Sequence, residues 1–234
     1  MNEERRKRLL QIGSAAAFLA IVAVAVAVVI TQSQSDGGDT ELERVATVDR
    51  ELRGIPQSGL TLGEESADVT LVEFGDLQCP ACKGYAEGIV PELIASKVRD
   101  GEAKIEFRNF AILGEESVTA GAAAVAAGQQ GRGWNFVALF YRNQGLEGSG
   151  YVSDEFLTAI ARGAGVPDIA RWNKDREDQA SSLREVQRST EEAEGLGLTG
   201  TPSFAVSGPG SDGFEALGTP GDAGKLERAI EDAG

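Results

Sequence analysis

The residues best suited to chemistry are Cys79 and Cys82, the two cysteines of the chain, which enclose Pro80 and Ala81. An apolar, β-branched stretch at residues 69–74 precedes them and predicts a strand that ends in a short turn. Proline is favoured in the first turn of a helix, so a helix is predicted to begin at the cysteines. Cys79 then faces free N–H groups and the positive end of the helix dipole, which stabilise a thiolate. Cys82 lies one turn further, within reach of a disulfide, so the spacing predicts an attacking Cys79 and a resolving Cys82.

The composition excludes several other kinds of site. The chain contains no histidine, and its formal net charge is −15. Without histidine, Ser-His-Asp and Cys-His hydrolase sites are excluded. A zinc site needs about four ligands and the cysteines supply half of them, so no metal and no cofactor are expected; half a site shared by two chains is the alternative. The acidic charge argues against nucleic acid as a partner, because its binding requires basic patches.

The N-terminal region has the pattern of a membrane anchor. Four basic residues at positions 5–8 precede an uncharged apolar run from Leu9 to Ile30. At about 1.5 Å per residue the run spans roughly 33 Å, which matches the hydrocarbon core of a bilayer. It predicts a transmembrane anchor at 9–30, with the basic segment 1–8 in the cytoplasm. A cleaved signal peptide, cut after Ala25 or Ala27, is the alternative. Either outcome predicts a domain outside the cytoplasm, beyond a linker at 31–58.

The rest of the chain, residues 59–234, predicts one α/β domain. The strand at 69–74, a helix from Pro80 to Val98 and a strand from Lys104 to Ile112 form a right-handed βαβ unit. A short edge strand is predicted at 60–62 and a helical stretch at about 114–197, followed by strands at 204–206 and 214–217 and a helix at 220–233. The segment 41–53, which is charged, is either a short helix or part of a stalk. An aromatic stripe is read as buried core rather than a ligand groove; it comprises Trp134, Phe136, Phe140, Tyr141 and Trp172.

Three features together resemble the DsbA-type, thioredoxin-fold disulfide oxidoreductases. They are the segment VEFGDLQCPAC at 72–82, the position of the helical stretch, and the segment GTPSF at 200–204. The resemblance covers roughly Gly59 to the C-terminus. It implies a thioredoxin-like α/β fold, with a central mixed sheet flanked by helices and an inserted α-helical domain, here preceded by a single transmembrane helix.

The resemblance also implies roles for residues outside the cysteine pair. Pro202 becomes a cis-proline that faces the active-site cysteines, and Thr201 is the residue before it. Glu73 becomes a buried acid whose pKa is raised and which passes a proton to or from Cys82; an edge residue facing water is the alternative. Many relatives carry histidine between the cysteines, where this chain has Pro80-Ala81, so a moderate rather than an extreme oxidant is expected.

The function implied is that of a membrane-tethered thiol–disulfide oxidoreductase that introduces disulfides into exported proteins. A substrate thiolate attacks the Cys79–Cys82 disulfide at Cys79, and Cys82 leaves. Unfolded or reduced exported proteins are the expected substrates, bound along Thr201 and Pro202, and a quinone-linked membrane partner is expected to reoxidise the enzyme. Two alternatives remain: a reductase or isomerase that uses the same residues, and a tethered, non-catalytic binding domain with a structural disulfide.

Overall fold

The computed structural model describes residues 44–234, and residues 45–234 form one compact unit. Its centre is a mixed sheet of six strands in the order β1-β2-β4-β3-β5-β6. β3 and β4 are parallel, and the other neighbouring strands are antiparallel. The strands are β1 (Gln57–Ser58), β2 (Thr61–Leu62), β3 (Val69–Gly75), β4 (Ala103–Asn109), β5 (Ser203–Ser207) and β6 (Glu215–Gly218). The mixed sheet expected from the resemblance is therefore present.

β3 is the central strand that carries the chain into the cysteine pair. It is covered on both faces, which explains its near-continuous apolar sequence. β4 alternates buried and half-buried residues, and Ile105, Phe107 and Asn109 share its buried face as the pattern predicts. The strand ends at Asn109, three residues before the predicted end.

The helix expected at Pro80–Val98 is interrupted. α2 covers Pro80–Glu87 and ends at Gly88, α3 covers Ile89–Leu93, and Ile94–Val98 forms a π-helical turn. Pro91 has no N–H to donate to the helical hydrogen bonds, and Gly88 weakens a helix interior. The helix therefore breaks where these two residues lie close together. The prediction of one continuous helix is wrong, although the predicted βαβ connection is present.

Five helices lie between β4 and β5, in the region predicted to be helical. They are α4 (Glu115–Gly128), α5 (Gly133–Arg142), α6 (Asp154–Gly163), α7 (Ile169–Arg176) and α8 (Ser182–Gly195). α4 is rich in alanine and glycine because it packs closely: a Cβ on Gly128 would lie 2.8 Å from the Gly59 carbonyl oxygen. The five stripe aromatics are at most 3 % exposed, so they are core and not a ligand groove.

The folded unit begins earlier than predicted. Residues 44–52 form helix α1, and Val48, Leu52 and Ile55 are buried in the core. The predicted linker, 31–58, therefore ends too late, and the helix alternative for its charged part is the one observed. Within residues 44–234 no helix is long and apolar enough to cross a membrane. The predicted anchor at 9–30 and the basic segment 1–8 lie outside the described residues.

The chain closes as predicted, with a hairpin and a helix. β5 and β6 pair antiparallel with a register shift at Phe204 and Ala205, and α9 (Ala223–Ala233) follows. Phe74 of β3 pairs with Ser203 of β5, which brings the residues just before β5 to the end of β3 where the cysteines lie.

Candidate active site

Cys79 is the N-cap residue of α2. Its backbone is extended (φ −71°, ψ 119°), Pro80 occupies the first turn, and the Cys82 N–H donates to Cys79 Sγ at 3.4 Å. The Cys79 N–H donates to the Asp76 carbonyl at 2.9 Å, which closes the turn after β3. The helix start predicted from Pro80 is confirmed. Both cysteines are free thiols in this structure.

The segment before β5 lies against the reactive sulfur. The Thr201–Pro202 peptide bond is cis, and Cys79 Sγ lies 3.5 Å from the Thr201 carbonyl oxygen. The Thr219 hydroxyl donates to the Pro202 carbonyl at 2.7 Å and holds this segment from the other side. Thr201 and Pro202 are thus brought to Cys79 from 122 residues away along the chain.

The two thiols have opposite acidities. The pKa of Cys79 falls from an ordinary 9.0 to about 6, first because the Cys82 thiol donates to the sulfur. The Thr201 side chain and the N–H groups of Ala81 and Cys82 also lower the pKa, against an opposing effect of burial. Burial, the hydrogen bond to Cys79 and the Cys79 charge raise the pKa of Cys82 far above its ordinary value. Cys79 is 6 % exposed and Cys82 not at all, as expected for an attacking and a resolving pair.

Glu73 lies beneath the cysteines in the middle of β3. Its cross-strand neighbours are Phe107 and Phe204, and it is 1 % exposed. Burial, and secondarily the charge of Cys79, raise the pKa of Glu73 from 4.5 to about 8. Because Glu73 is buried between two neighbouring strands, the alternative of an edge residue facing water is excluded. At neutral pH the side chain is a protonated carboxyl, able to donate a proton.

Two residues that the sequence did not single out hold the cysteine loop. The buried Asp76 carboxylate accepts from the N–H groups of Gln78 (2.8 Å), Ile112 (2.9 Å) and Leu113 (3.0 Å), which ties the end of β3 to the chain after β4. Gln144 Nε2 donates to the carbonyls of Leu77 (2.8 Å) and Cys79 (3.1 Å). Asp76 lies in the short turn that the sequence predicts after the strand, and no local signal marks Gln144, 65 residues beyond Cys79.

The rim of the site is apolar and exposed. Among the described residues, the large hydrophobic side chains that face solvent are Ile112, 42 % exposed, and Leu146, 79 % exposed. Ile112 is held near the cysteines because its N–H donates to the Asp76 carboxylate. The loop that carries Leu146 is held there because the Gly148 N–H donates to Gln78 Oε1, next to Cys79, at 3.0 Å. Pro80 and Ala81 are exposed between the cysteines. Within residues 44–234 no three His, Cys, Asp or Glu side chains are grouped to hold a metal ion.

An acidic thiol at a helix N-cap, a buried partner thiol one turn later and a buried carboxyl with a raised pKa define a thiol–disulfide oxidoreductase on a thioredoxin-like sheet. The comparisons agree: the thioredoxin family profile matches residues 57–219. The chain belongs to this family and is a DsbA-type thiol–disulfide oxidoreductase.

Individual relatives support the assignment. The probable disulfide bond formation protein D of Bacillus cereus is 29 % identical over 153 residues, which is 63 % of this chain and 69 % of that protein. A thioredoxin-like oxidoreductase from Silicibacter pomeroyi is 31 % identical, with a TM-score of 0.59 over 78 % of this chain and 95 % of that structure. Oxidised BdbD from Bacillus subtilis, at 21 % identity, shares the fold with a TM-score of 0.65 over 76 % of this chain and 97 % of that one.

Proposed function

We propose that this oxidoreductase works as an oxidase, which introduces disulfides into exported proteins. The observation that supports this direction is the acidity of Cys79, whose pKa of about 6 leaves it mostly ionised at pH 7. A stabilised thiolate favours the reduced enzyme, and an enzyme that favours its reduced form takes electrons from its substrates. The similarity to a probable disulfide bond formation protein supports the same direction.

The reaction proceeds in two exchanges. A substrate thiolate attacks Cys79 Sγ, the Cys79–Cys82 bond breaks, and Cys82 leaves with a proton from Glu73. A second substrate thiolate then attacks the substrate sulfur of the mixed disulfide, and Cys79 leaves as a thiolate. Two electrons end on the cysteine pair; two protons leave the substrate thiols for solvent, and one returns from solvent to Glu73.

The substrate is an unfolded or reduced protein segment. We propose that its backbone binds beside Thr201 and Pro202 as an added strand, which fits any sequence because it uses main-chain groups. Apolar side chains that flank the substrate cysteine contact Ile112 and Leu146 on the rim, where large hydrophobic groups face solvent. Unfolded proteins expose such side chains, whereas folded ones bury them.

The reduction potential tests the direction of the reaction. At pH 7 a thiol with a pKa of about 6 is stabilised over an ordinary one by roughly 1.4 kcal/mol. For two electrons this corresponds to about 30 mV in the oxidising direction. With no histidine between the cysteines to add to this effect, we expect a moderate oxidant, with a potential more positive than about −230 mV. Equilibration with glutathione measures it, and a value near thioredoxin's, about −270 mV, would indicate a reductase.

We propose that the catalytic domain lies outside the cytoplasm, held to the membrane by residues 9–30, and that a quinone-linked membrane protein reoxidises it. The apolar run behind four basic residues supports the location, and disulfide formation is the usual chemistry of that compartment. Labelling of Cys79 in intact cells by a membrane-impermeant maleimide tests the location, in a Cys82→Ala variant so that Cys79 is not held in the intramolecular disulfide. Labelling that requires cell lysis contradicts it.

A further inference from the structure

A small cavity is lined both by the buried Glu73 and by side chains that reach the protein surface. Its volume is about 10 Å³, room for a single water molecule. Apolar side chains from α2, α3 and α5 form most of its wall, together with Leu52 from the helix at 44–52. Besides Tyr141, three ionisable residues line the cavity: Glu73, which is buried, and Glu51 and Arg142, whose side chains are partly exposed.

Glu73 presents an unused polar atom to this space. Its Oε1 is fully buried and has no hydrogen-bond partner, which is costly for a polar atom in an apolar setting. A water in the cavity satisfies that oxygen and gives the carboxyl a partner for proton exchange. The cavity is therefore polar where it meets Glu73 and large enough for the molecule required.

Glu51 and Arg142, which both line the cavity, form an ion pair with each other. The Glu51 side chain is 26 % exposed and that of Arg142 10 %, so the pair reaches solvent while it lines the cavity. Arg142 is also held by the Ala138 carbonyl at 3.1 Å, which fixes the guanidinium on α5. A surface carboxylate in a fixed position next to a water is suited to pass protons between that water and solvent.

We propose that Glu51, Arg142 and one water in this cavity form the route by which the buried Glu73 carboxyl exchanges its proton with solvent. The inference rests on the proposed proton transfer between Glu73 and Cys82, but it does not depend on whether the enzyme works as an oxidase or as a reductase. Each time Cys82 gains or loses a proton through Glu73, Glu73 must be restored from solvent. Its own exposure of 1 % provides no direct access.

Ionisable side chains from several helices and strands surround Glu73. Glu51 and Arg142 supply the outer end of the route and are the positioning residues. The remaining ionisable neighbours are the cysteines, the buried Tyr141, whose hydroxyl donates to the Asp76 carbonyl at 3.2 Å, and the Asp76 carboxylate. Of these four only Tyr141 lines the cavity, and it is fully buried, so none replaces Glu51 as a contact with solvent.

The test follows the proton on Glu73 directly. The full-length oxidised protein is mixed rapidly into D₂O, and the infrared C=O band of the protonated carboxyl is followed as it shifts on deuteration. Glu73→Gln removes the band and so assigns it. We expect Glu51→Gln, which keeps the shape but removes the carboxylate, and Ala138→Val, which fills the cavity, each to slow this exchange by about tenfold or more.

A matched control separates this route from a general effect of losing an ion pair. Asp154→Asn releases Arg176, a similarly buried arginine, from a surface carboxylate that does not line the cavity, and we expect exchange at the wild-type rate. Wild-type exchange in Glu51→Gln would overturn the proposal, and so would equal slowing by Asp154→Asn. If Ala138→Val does not fold, Glu51→Gln decides alone. The reduction potential should be the same in all three variants, so this test stays independent of the oxidase assignment.

Discussion

Replacing Glu73 with glutamine should stabilise the protein relative to the wild type increasingly as the pH rises from 4 to 7. The pKa of Glu73 rises from 4.5 to about 8 on folding, chiefly because the carboxyl is buried between apolar side chains. Between these two values the folded state binds a proton that the unfolded state has lost. The contribution of Glu73 to the unfolding free energy is therefore largest below pH 4.5. It decreases as the pH rises and is lost above about pH 8.

The size of the effect follows from the same two values. Each pH unit between them costs about 1.36 kcal/mol, so from pH 4 to pH 7 the wild type loses roughly 3 kcal/mol that the Glu73→Gln variant does not lose. Any constant effect of the amide on packing is the same at both pH values and cancels. In a domain of this size, 3 kcal/mol corresponds to a difference in Tm of about 6 to 12 °C.

Urea unfolding at pH 4, 5.5 and 7 measures the difference, followed by the fluorescence of the buried Trp134 and Trp172. The oxidised form is used for both proteins, because neither cysteine then titrates, while burial, the larger cause of the shift, remains. We expect the unfolding free energy of the variant to increase relative to that of the wild type as the pH rises. If the difference in unfolding free energy is the same at all three pH values, Glu73 does not hold a proton at neutral pH and its proposed role fails.

Four further measurements follow from the site. Cys82→Ala removes the hydrogen bond that contributes most to the acidity of Cys79, so thiolate absorbance at 240 nm should show a pKa about one to two units higher; an unchanged titration would contradict this assignment. In the wild type, the potential should fall by about 59 mV per pH unit below pH 6 and by about 30 mV above it, because Cys79 then stays unprotonated on reduction. Gln144→Ala frees two loop carbonyls and should lower the unfolding free energy by about 1–2 kcal/mol in urea titrations, with no change in stability as the contrary result. Leu146→Ser should raise the KM for an unfolded substrate about fivefold and leave the potential unchanged, whereas Glu87→Ser, a control at an exposed position on α2, should change neither.

The parts of the site that the sequence predicted are those that local chemistry determines. Pro80 in a first turn, behind a β-branched run, is sufficient to place Cys79 at a helix N-terminus. The reading of Glu73 as a buried acid comes from the resemblance, as do the roles of Thr201 and Pro202. Strand pairing between β3 and β5 then brings these positions together, and no local pattern contains that information.

The features that the sequence missed depend on contacts distant along the chain. Asp76 and Gln144 act through hydrogen bonds to backbone groups up to 67 residues away, and any polar residue in a turn has the same local pattern. The sequence does not decide between a helix and a stalk at 44–52, because most of its residues are charged or polar and only a few apolar ones reach the core. The break at Gly88 was missed because apolar spacing continues through it, although Gly88 and Pro91 were both visible in the sequence.

The pKa of Glu73 links the stability of the protein to its chemistry. A carboxyl at the ordinary value of 4.5 would be ionised at pH 7 and unable to give Cys82 a proton, and it would add a second negative charge beside the Cys79 thiolate. At about 8, the carboxyl is neutral when Cys82 leaves, yet only about 1.4 kcal/mol from ionisation when Cys82 must be deprotonated. The burial that provides this balance is the same burial that lowers stability at neutral pH, so a variant that gains stability at this position is expected to lose proton transfer.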